Sequence, residues 1–348
     1  MRLRYGWSSV WVVPALLLCS AVVMAAPQGL IAVDKVANRI RFYDPVSVSE
    51  IAHIDGPGPT VHELALDPLQ PLAYVPLYGD GIYGANRNPN NKVLIVDLLS
   101  RSVAAVIDLG GHRAPHGLVA TRDSSLWVVC DLDNTLLRID LVSRQVVDSF
   151  AVPGVGAHQL LLQPDESRLY ISNKQSAPQV FDLRQRRFIA SLDVRAQAPG
   201  TGNGSGTEGM ALSRDGRRLF IADNGQGAIH VFDTGSLKPL QTVPLQALAP
   251  SNAKRTRLIK LLVSPDGRWL VTTAYASGQV WIIDTRDLSR QKQVAVAKGP
   301  QGVAFAADGR TVLVASHDSG LLTRLELASG RVIQAYEGGE GIESLAFY

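Results

Sequence analysis

Seven polar residues recur along the chain in one local setting. His62, His116, His158, Glu208, Lys260, Gln301 and Glu343 each stand at the head of an apolar run, at intervals of 41 to 54 residues. Imidazoles and a carboxylate gathered in one place have the donor inventory of a divalent-metal site with an open position, and His62, His116, His158 and Glu208 are the candidate ligands. Without a metal, His116, His158 and Glu208 could pass protons to and from a bound molecule while Lys260 steadies developing negative charge. Those four are the candidate catalytic residues, and Gln301 and Glu343 complete the circle as ligand contacts. The plainer alternative is that the histidines bond the backbone of a neighbouring strand and do no chemistry.

A repeat brings residues so far apart in sequence to one place. EGMALSRDGRRLFIADNGQGAIHVFDT (208–234), IKLLVSPDGRWLVTTAYASGQVWIIDT (259–285) and QGVAFAADGRTVLVASHDSGLLTRLEL (301–327) share one layout. A polar leader opens an apolar run, a turn containing Asp or Gly follows, and a later acidic residue closes a third β-rich run. A unit of about 42 residues built from four short strands predicts a β-propeller. The first turns include DPLQ (67–70), TRDS (121–124), QPDE (163–166), SRDG (213–216), SPDG (264–267) and AADG (306–309). Pro presets φ, Asp bonds its own backbone and Gly accepts positive φ, so all suit tight turns. Asp44, Asp97, Asp140, Asp182, Asp233 and Asp284 close the third strands, with Glu326 in the seventh slot, and the six aspartates are expected to form side-chain-to-backbone turns.

The last unit, IESLAFY (342–348), ends after a first strand, whereas GLIAVDKVANRIRFYDP (29–45) reads as second and third strands with no first. The two ends complete each other. The expectation is an all-β fold of seven four-stranded antiparallel blades, the last closed by N- and C-terminal strands so that the ring has no free edge.

The [SQA]-x-D-G-R turns, the L-[FY]-I-[AS] second strands and the V-[FW]-x-D third strands resemble those of the bacterial YVTN-repeat seven-bladed propellers, including the periplasmic YncE-like proteins. The resemblance covers residues 29–348. It implies the architecture but not one activity, because the same repeat carries lactonases, lyases, redox subunits and binding proteins.

In such a ring the first turns lie at the bottom of the channel, and the leaders and second-to-third-strand loops lie at the top. Three long connections, 78–91, 195–206 and 246–257, should rise over that mouth, the Gly-rich one as a lid. Tyr78, Asp80, Tyr83, Asn86 and Arg87 in the first of them could grip an anionic or ring-shaped ligand, or simply cap their own blade. Asp131, Asp223 and His317 fall near the tops of second strands, close enough to support the ring of leaders. Cys130, Trp127, Trp269 and Trp281 read as packing residues.

Residues 1–26 read as a signal peptide, with Arg2 and Arg4 ahead of the apolar run Val10–Leu18 and small residues at Ala25 and Ala26. Removal would leave 27–348 as one propeller domain with no membrane span, and would leave Cys130 without an intramolecular partner. Export without a disulfide points to a periplasm. The 34 basic and 31 acidic residues nearly balance, and apart from short clusters such as Lys254, Arg255 and Arg257 no long basic run stands out, so nucleic acid is not an expected partner. There is no G-x-S-x-G elbow, C-x-x-C-H haem attachment or C-x-x-C pair. Three functions stay open. The first is a monomeric periplasmic protein binding a small molecule or protein partner at the channel mouth, with no cofactor required. The second is a metal-assisted lyase or lactonase-like hydrolase, similar in its mouth residues to the lyase and lactonase propellers. The third is an accessory subunit of a periplasmic redox enzyme.

Overall fold

A computed structural model describes residues 28–56, 60–194, 206–224, 227–245 and 257–348. Its strands form seven four-stranded antiparallel sheets. Blades 1 to 6 span 65–108, 115–151, 157–191, 207–244, 258–295 and 300–337. Blade 7 takes its inner strand, Ile342–Phe347, from the C-terminus and its other three from 30–55. Among the described residues no helix is long and apolar enough to cross a membrane.

Second and third strands are continuously apolar because both faces are covered. In Ser125–Cys130 of blade 2, Leu126, Val128 and Cys130 pack towards blade 1, while Trp127 and Val129 pack towards blade 3. Each of seven hydrophobic clusters occupies one blade-to-blade junction, the cluster joining blade 7 to blade 1 included. Burying such strands on both sides is the main stabilisation of a ring in which each blade touches only its neighbours. Trp127, Trp269 and Trp281 pack there as expected, and burial pushes the Cys130 thiol well up. Outer strands alternate towards solvent, as in Glu50–Asp55.

The closing aspartates make the expected turns. Asp97 Oδ1 accepts from the Leu99 and Ser100 N–H groups at 2.9 and 2.8 Å, and Asp140 Oδ1 does the same for Val142 and Ser143 at 2.7 and 3.2 Å. In the first turns the residue after Asp takes positive φ at Ser124, Glu166, Gly216, Gly267 and Gly309.

Blade 7 is fastened from both ends of the chain. Buried Asp34 accepts from Arg41 Nε at 2.8 Å and from the Glu340 and Gly341 N–H groups, both at 2.9 Å. Tyr43 donates to the Gly338 carbonyl. One carboxylate thus ties the N-terminal strand to the segment leading into the C-terminal one.

Candidate functional site

A backbone irregularity places the leaders. In every blade the pairing of inner and second strands slips by one residue at or beside the leader. Pro115 faces Cys130 but Leu118 faces Val128; Ala157 faces Asn173 but Leu160 faces Ile171; Thr207 faces Asp223 but Met210 faces Ile221. The same slip separates Leu258 from Leu261, Pro300 from Gly302, Val61 from Ala65, and the Val33 and Asp34 pairings with the last strand. A β-bulge re-aims the side chain at the slip. Donors freed from the ladder are taken by hydroxyls of the second strand: Ser172 Oγ accepts from Gln159 N–H at 3.0 Å and Thr273 Oγ1 from Lys260 N–H at 3.2 Å. Gly117 and Gly209, each directly after a leader, let inner strands crowd together. A Cβ there would meet the His158 carbonyl at 2.5 Å or the Leu261 nitrogen at 2.7 Å.

The re-aimed side chains line a cavity of about 620 Å³ at the top of the channel. His62, His116 and His158 form a tight, non-parallel stack: His62 is edge-on to His116 with ring centroids 4.3 Å apart, and His116 is tilted against His158 with centroids 3.6 Å apart. Burial pushes the His116 and His158 imidazoles well below their ordinary pKa, and the neighbouring histidines and Lys174 and Lys260 push the same way. Both are therefore neutral at pH 7, and their Nδ1 atoms are buried without a partner among the described residues.

Ion pairs surround the stack. Glu343 is a hub: it contacts His62 Nδ1 and lies 3.6 Å from both Lys35 Nζ and His317 Nε2. Burial by itself would raise its pKa, but His62, Lys35 and His317 outweigh that and hold it at about 2. Lys174 Nζ lies 3.3 Å from Glu208 and 5.5 Å over the Tyr83 ring. Glu63 and Lys260, on blades 1 and 5 across the axis, pair at 2.6 and 2.7 Å and floor the cavity. Beneath them lies a mostly apolar pocket of about 260 Å³ lined by Leu118, Leu160 and Leu261 among others.

Of the residues singled out in sequence, His62, His116, His158, Glu208, Gln301, His317 and Glu343 line the cavity together. Lys260 lies at its floor. Tyr78 and Asp131 stand behind the wall: the buried Tyr78 hydroxyl donates to Asp131 Oδ2 at 2.7 Å, and its ring is 4.8 Å from that of His62. Burial lifts Asp131 to about 7 against the lowering pull of the Tyr78 hydrogen bond, Lys174 and Lys35. Asp223 is fully buried against His230 Nε2 at 2.9 Å, away from the cavity. Arg87 is not among the lining residues. Its loop caps its own blade, with Asp80 Oδ1 accepting from Asn88 N–H at 3.1 Å and Asn86 Nδ2 donating to the Tyr78 carbonyl at 2.9 Å, but it also turns Tyr83 into the cavity. The connections 195–205 and 246–256, the cluster residues Lys254 and Arg255, and the proposed signal peptide lie outside the described residues. Sequence reasoning missed Glu63 and Lys174. A signal existed for Glu63, which fills the post-leader slot that is Gly117, Gly209 or Gly302 elsewhere.

The arrangement can accept hydrogen bonds or a proton at neutral imidazoles, and its loosely apposed ion pairs can re-pair with charged groups of a guest. Among the described residues no three His, Cys, Asp or Glu side chains are grouped to hold a metal ion.

Comparison with known proteins adds three findings. Over 199 residues the chain is 26% identical to Protein NirF of Pseudomonas aeruginosa, a match covering 53% of this chain and 47% of that protein. The chain thus spans about half the length of that curated relative. A chain of Kuenenia stuttgartiensis hydrazine synthase has a similar fold, with a TM-score of 0.67 and 15% identity over 82% of this chain and 89% of that one. The family model described as "Lactonase, 7-bladed beta-propeller" matches residues 156–334, more than half of the sequence. With seven blades and a match of that extent, the chain belongs to the seven-bladed β-propeller lactonase family.

Proposed function

We propose that the protein is an exported, periplasmic propeller of the YVTN-repeat, YncE-like type that binds a small molecule in its top-face cavity. The observation that carries this reading is the pair of buried, neutral imidazoles, His116 and His158, whose Nδ1 atoms have no partner among the described residues beside a cavity of about 620 Å³. Leaving a buried polar group unsatisfied costs about 1–3 kcal/mol, and a volume within about 300–1,000 Å³ suits a small ligand. A purely structural ring would gain stability by replacing those groups with apolar ones. The guest would be polar at the end that meets the imidazoles and ion pairs, and apolar where Val36, Ile82 and Tyr83 form the rim. An accessory role beside a periplasmic redox enzyme is one form of the same reading, in which the guest belongs to that enzyme's reaction.

The test is the double variant His116→Leu/His158→Leu. Its melting temperature should hold or rise, while the small molecules released by acid from protein isolated from the periplasm should lose a species present with the wild type. A clear fall in melting temperature with an unchanged small-molecule complement would return the histidines to a structural role.

A hydrolytic reading is favoured by the family match. A neutral imidazole beside Glu208 and Lys174 can take the proton of a water attacking a lactone carbonyl. Hydrolysis of glucono-δ-lactone, followed in a pH-stat, should then fall in Glu208→Gln; equal rates in the two proteins would leave binding as the function.

A further inference from the structure

The face opposite the cavity carries a second concavity, between the bottom turns of blades 4 and 5. It is a groove of about 470 Å³ lined by Arg214, Arg218, Arg268 and Arg286 together with Asp215 and Asp266. None of these residues stands out as a basic run, because three segments supply them.

The arginines have different tasks. Arg218 Nη1 donates to the Thr285 carbonyl at 2.9 Å, repeating the latch that Arg168 makes to Thr234 one junction earlier. It holds the wall. Arg268 lies 4.7 Å over the Trp269 ring and 3.9 Å from Asp284. Arg214 and Arg286 are exposed, and neither guanidinium pairs with a carboxylate among the described residues. The two lining carboxylates are engaged in their own turns. Asp215 Oδ1 accepts from Ser213 Oγ and the Arg217 N–H at 2.5 and 3.1 Å, and Asp266 Oδ1 from Ser264 Oγ and the Arg268 N–H at 2.5 and 3.0 Å.

The junction between blades 2 and 3 shows one way of closing such a place. Arg122 holds the turn position that Arg214 holds in blade 4, and Glu166 holds the position of Gly267. There Glu166 accepts from Arg122 Nη1 at 2.9 Å and from the Arg122 N–H at 3.1 Å. Between blades 4 and 5 the acid is replaced by Gly267, where a Cβ would come within 2.8 Å of the Arg214 Cβ. The glycine opens the groove and removes the acceptor that its sister junction supplies.

We propose that this groove binds a small molecule bearing two or more oxyanionic groups, phosphate or carboxylate, with Arg214 and Arg286 as its main contacts and Arg268 as a third. Guanidinium forks match oxyanions through paired N–H donors. The space falls within the range of small-ligand sites, about 300–1,000 Å³. The groove is independent of the histidine cavity.

Isothermal titration of the full protein at low ionic strength, with inorganic tripolyphosphate and with tricarballylate as probes, tests this. At least one probe should bind the wild type, and the better of the two identifies the oxyanion class. Arg214→Gln/Arg286→Gln should weaken that binding about tenfold or more, as loss of charge-assisted hydrogen bonds requires. Arg122→Gln, which removes a surface arginine outside the groove, and Lys174→Met, which alters the upper cavity, should leave it unchanged. Circular dichroism checks that each variant is folded. The proposal is overturned if neither anion binds, if the double variant binds as tightly as the wild type, or if Arg122→Gln or Lys174→Met causes the same loss.

Discussion

Lys260 and Glu63 give the sharpest test of how the cavity is built. Their charged ends are 2.6 and 2.7 Å apart, the side chains are only 15% and 9% exposed, and they belong to blades on opposite sides of the channel. Lys260→Met leaves the Glu63 carboxylate stranded. Breaking a buried pair from one side costs about 3–5 kcal/mol, whereas replacing both members by apolar residues is often neutral. Because the pair floors an open cavity, the lower end applies, about 3 kcal/mol for Lys260→Met or Glu63→Leu. The double variant should lie within about 1 kcal/mol of the wild type, giving a coupling of several kcal/mol. Equilibrium unfolding in urea of all four proteins measures it. If the double variant is destabilised by the sum of the singles, the two residues do not hold each other and the cavity has no ion-pair floor.

Three further outcomes follow from other contacts. Asp34→Ala leaves Arg41 with Glu50 alone and strands two backbone donors that join the chain ends, so it should cost about 3 kcal/mol, while Asp44→Ala at a solvent-facing turn should cost clearly less; urea midpoints compare them. Glu343 is held at about 2 in the folded protein against an ordinary 4.5, so it stabilises above pH 4.5 and that contribution is lost as pH falls from 4.5 towards 2; Glu343→Gln should flatten the stability–pH slope in that window. Asp131, raised from 3.8 to about 7, shows the opposite sign: folding is favoured below pH 3.8 and the advantage is gone above 7, so Asp131→Asn should raise the melting temperature at pH 8 and change it least at pH 4.

The number of blades and the interlocked ends are legible in the sequence because they rest on period and on local turn chemistry, as the closing aspartates show. The convergence of His62, His116, His158, Glu208, Gln301 and Glu343 is legible for the same reason: equivalent positions in a closed repeat must meet. Contacts across the axis are not, since no periodicity relates Glu63 to Lys260. Asp223 illustrates the limit of alignment by strand ends. Its place in the repeat is near the mouth, yet the deciding interaction is His230 on the adjacent strand, which turns it into the blade. Arg87 fails for a related reason, since the contacts within its loop bring Tyr83, and not the arginine, to the cavity. The groove of arginines escaped notice because three separated segments supply its arginines and a glycine, Gly267, leaves the space between them, so no motif marks it.

Unequal leaders on an almost regular ring explain how one end of the channel becomes selective. A ring of seven identical charged groups would repel itself. Here three neighbouring blades supply imidazoles that crowd too closely to carry full charge, and burial keeps His116 and His158 neutral. The charges are set on either side of that stack: Glu343 with Lys35 and His317 from blades 6 and 7, and Glu208 with Lys174 from blades 3 and 4. A guest that offers a hydrogen-bond donor to the imidazoles must also satisfy, or exchange into, at least one of those pairs. Protonating the stack would place positive charge against Lys174 and Lys260. Because burial holds His116 and His158 well below the ordinary histidine range, guest affinity should stay level as pH falls through that range. Guest binding measured at pH 6 and pH 8 checks this: equal affinity fits imidazoles that stay neutral, and a loss at pH 6 in the wild type but not in His116→Leu/His158→Leu would refute it.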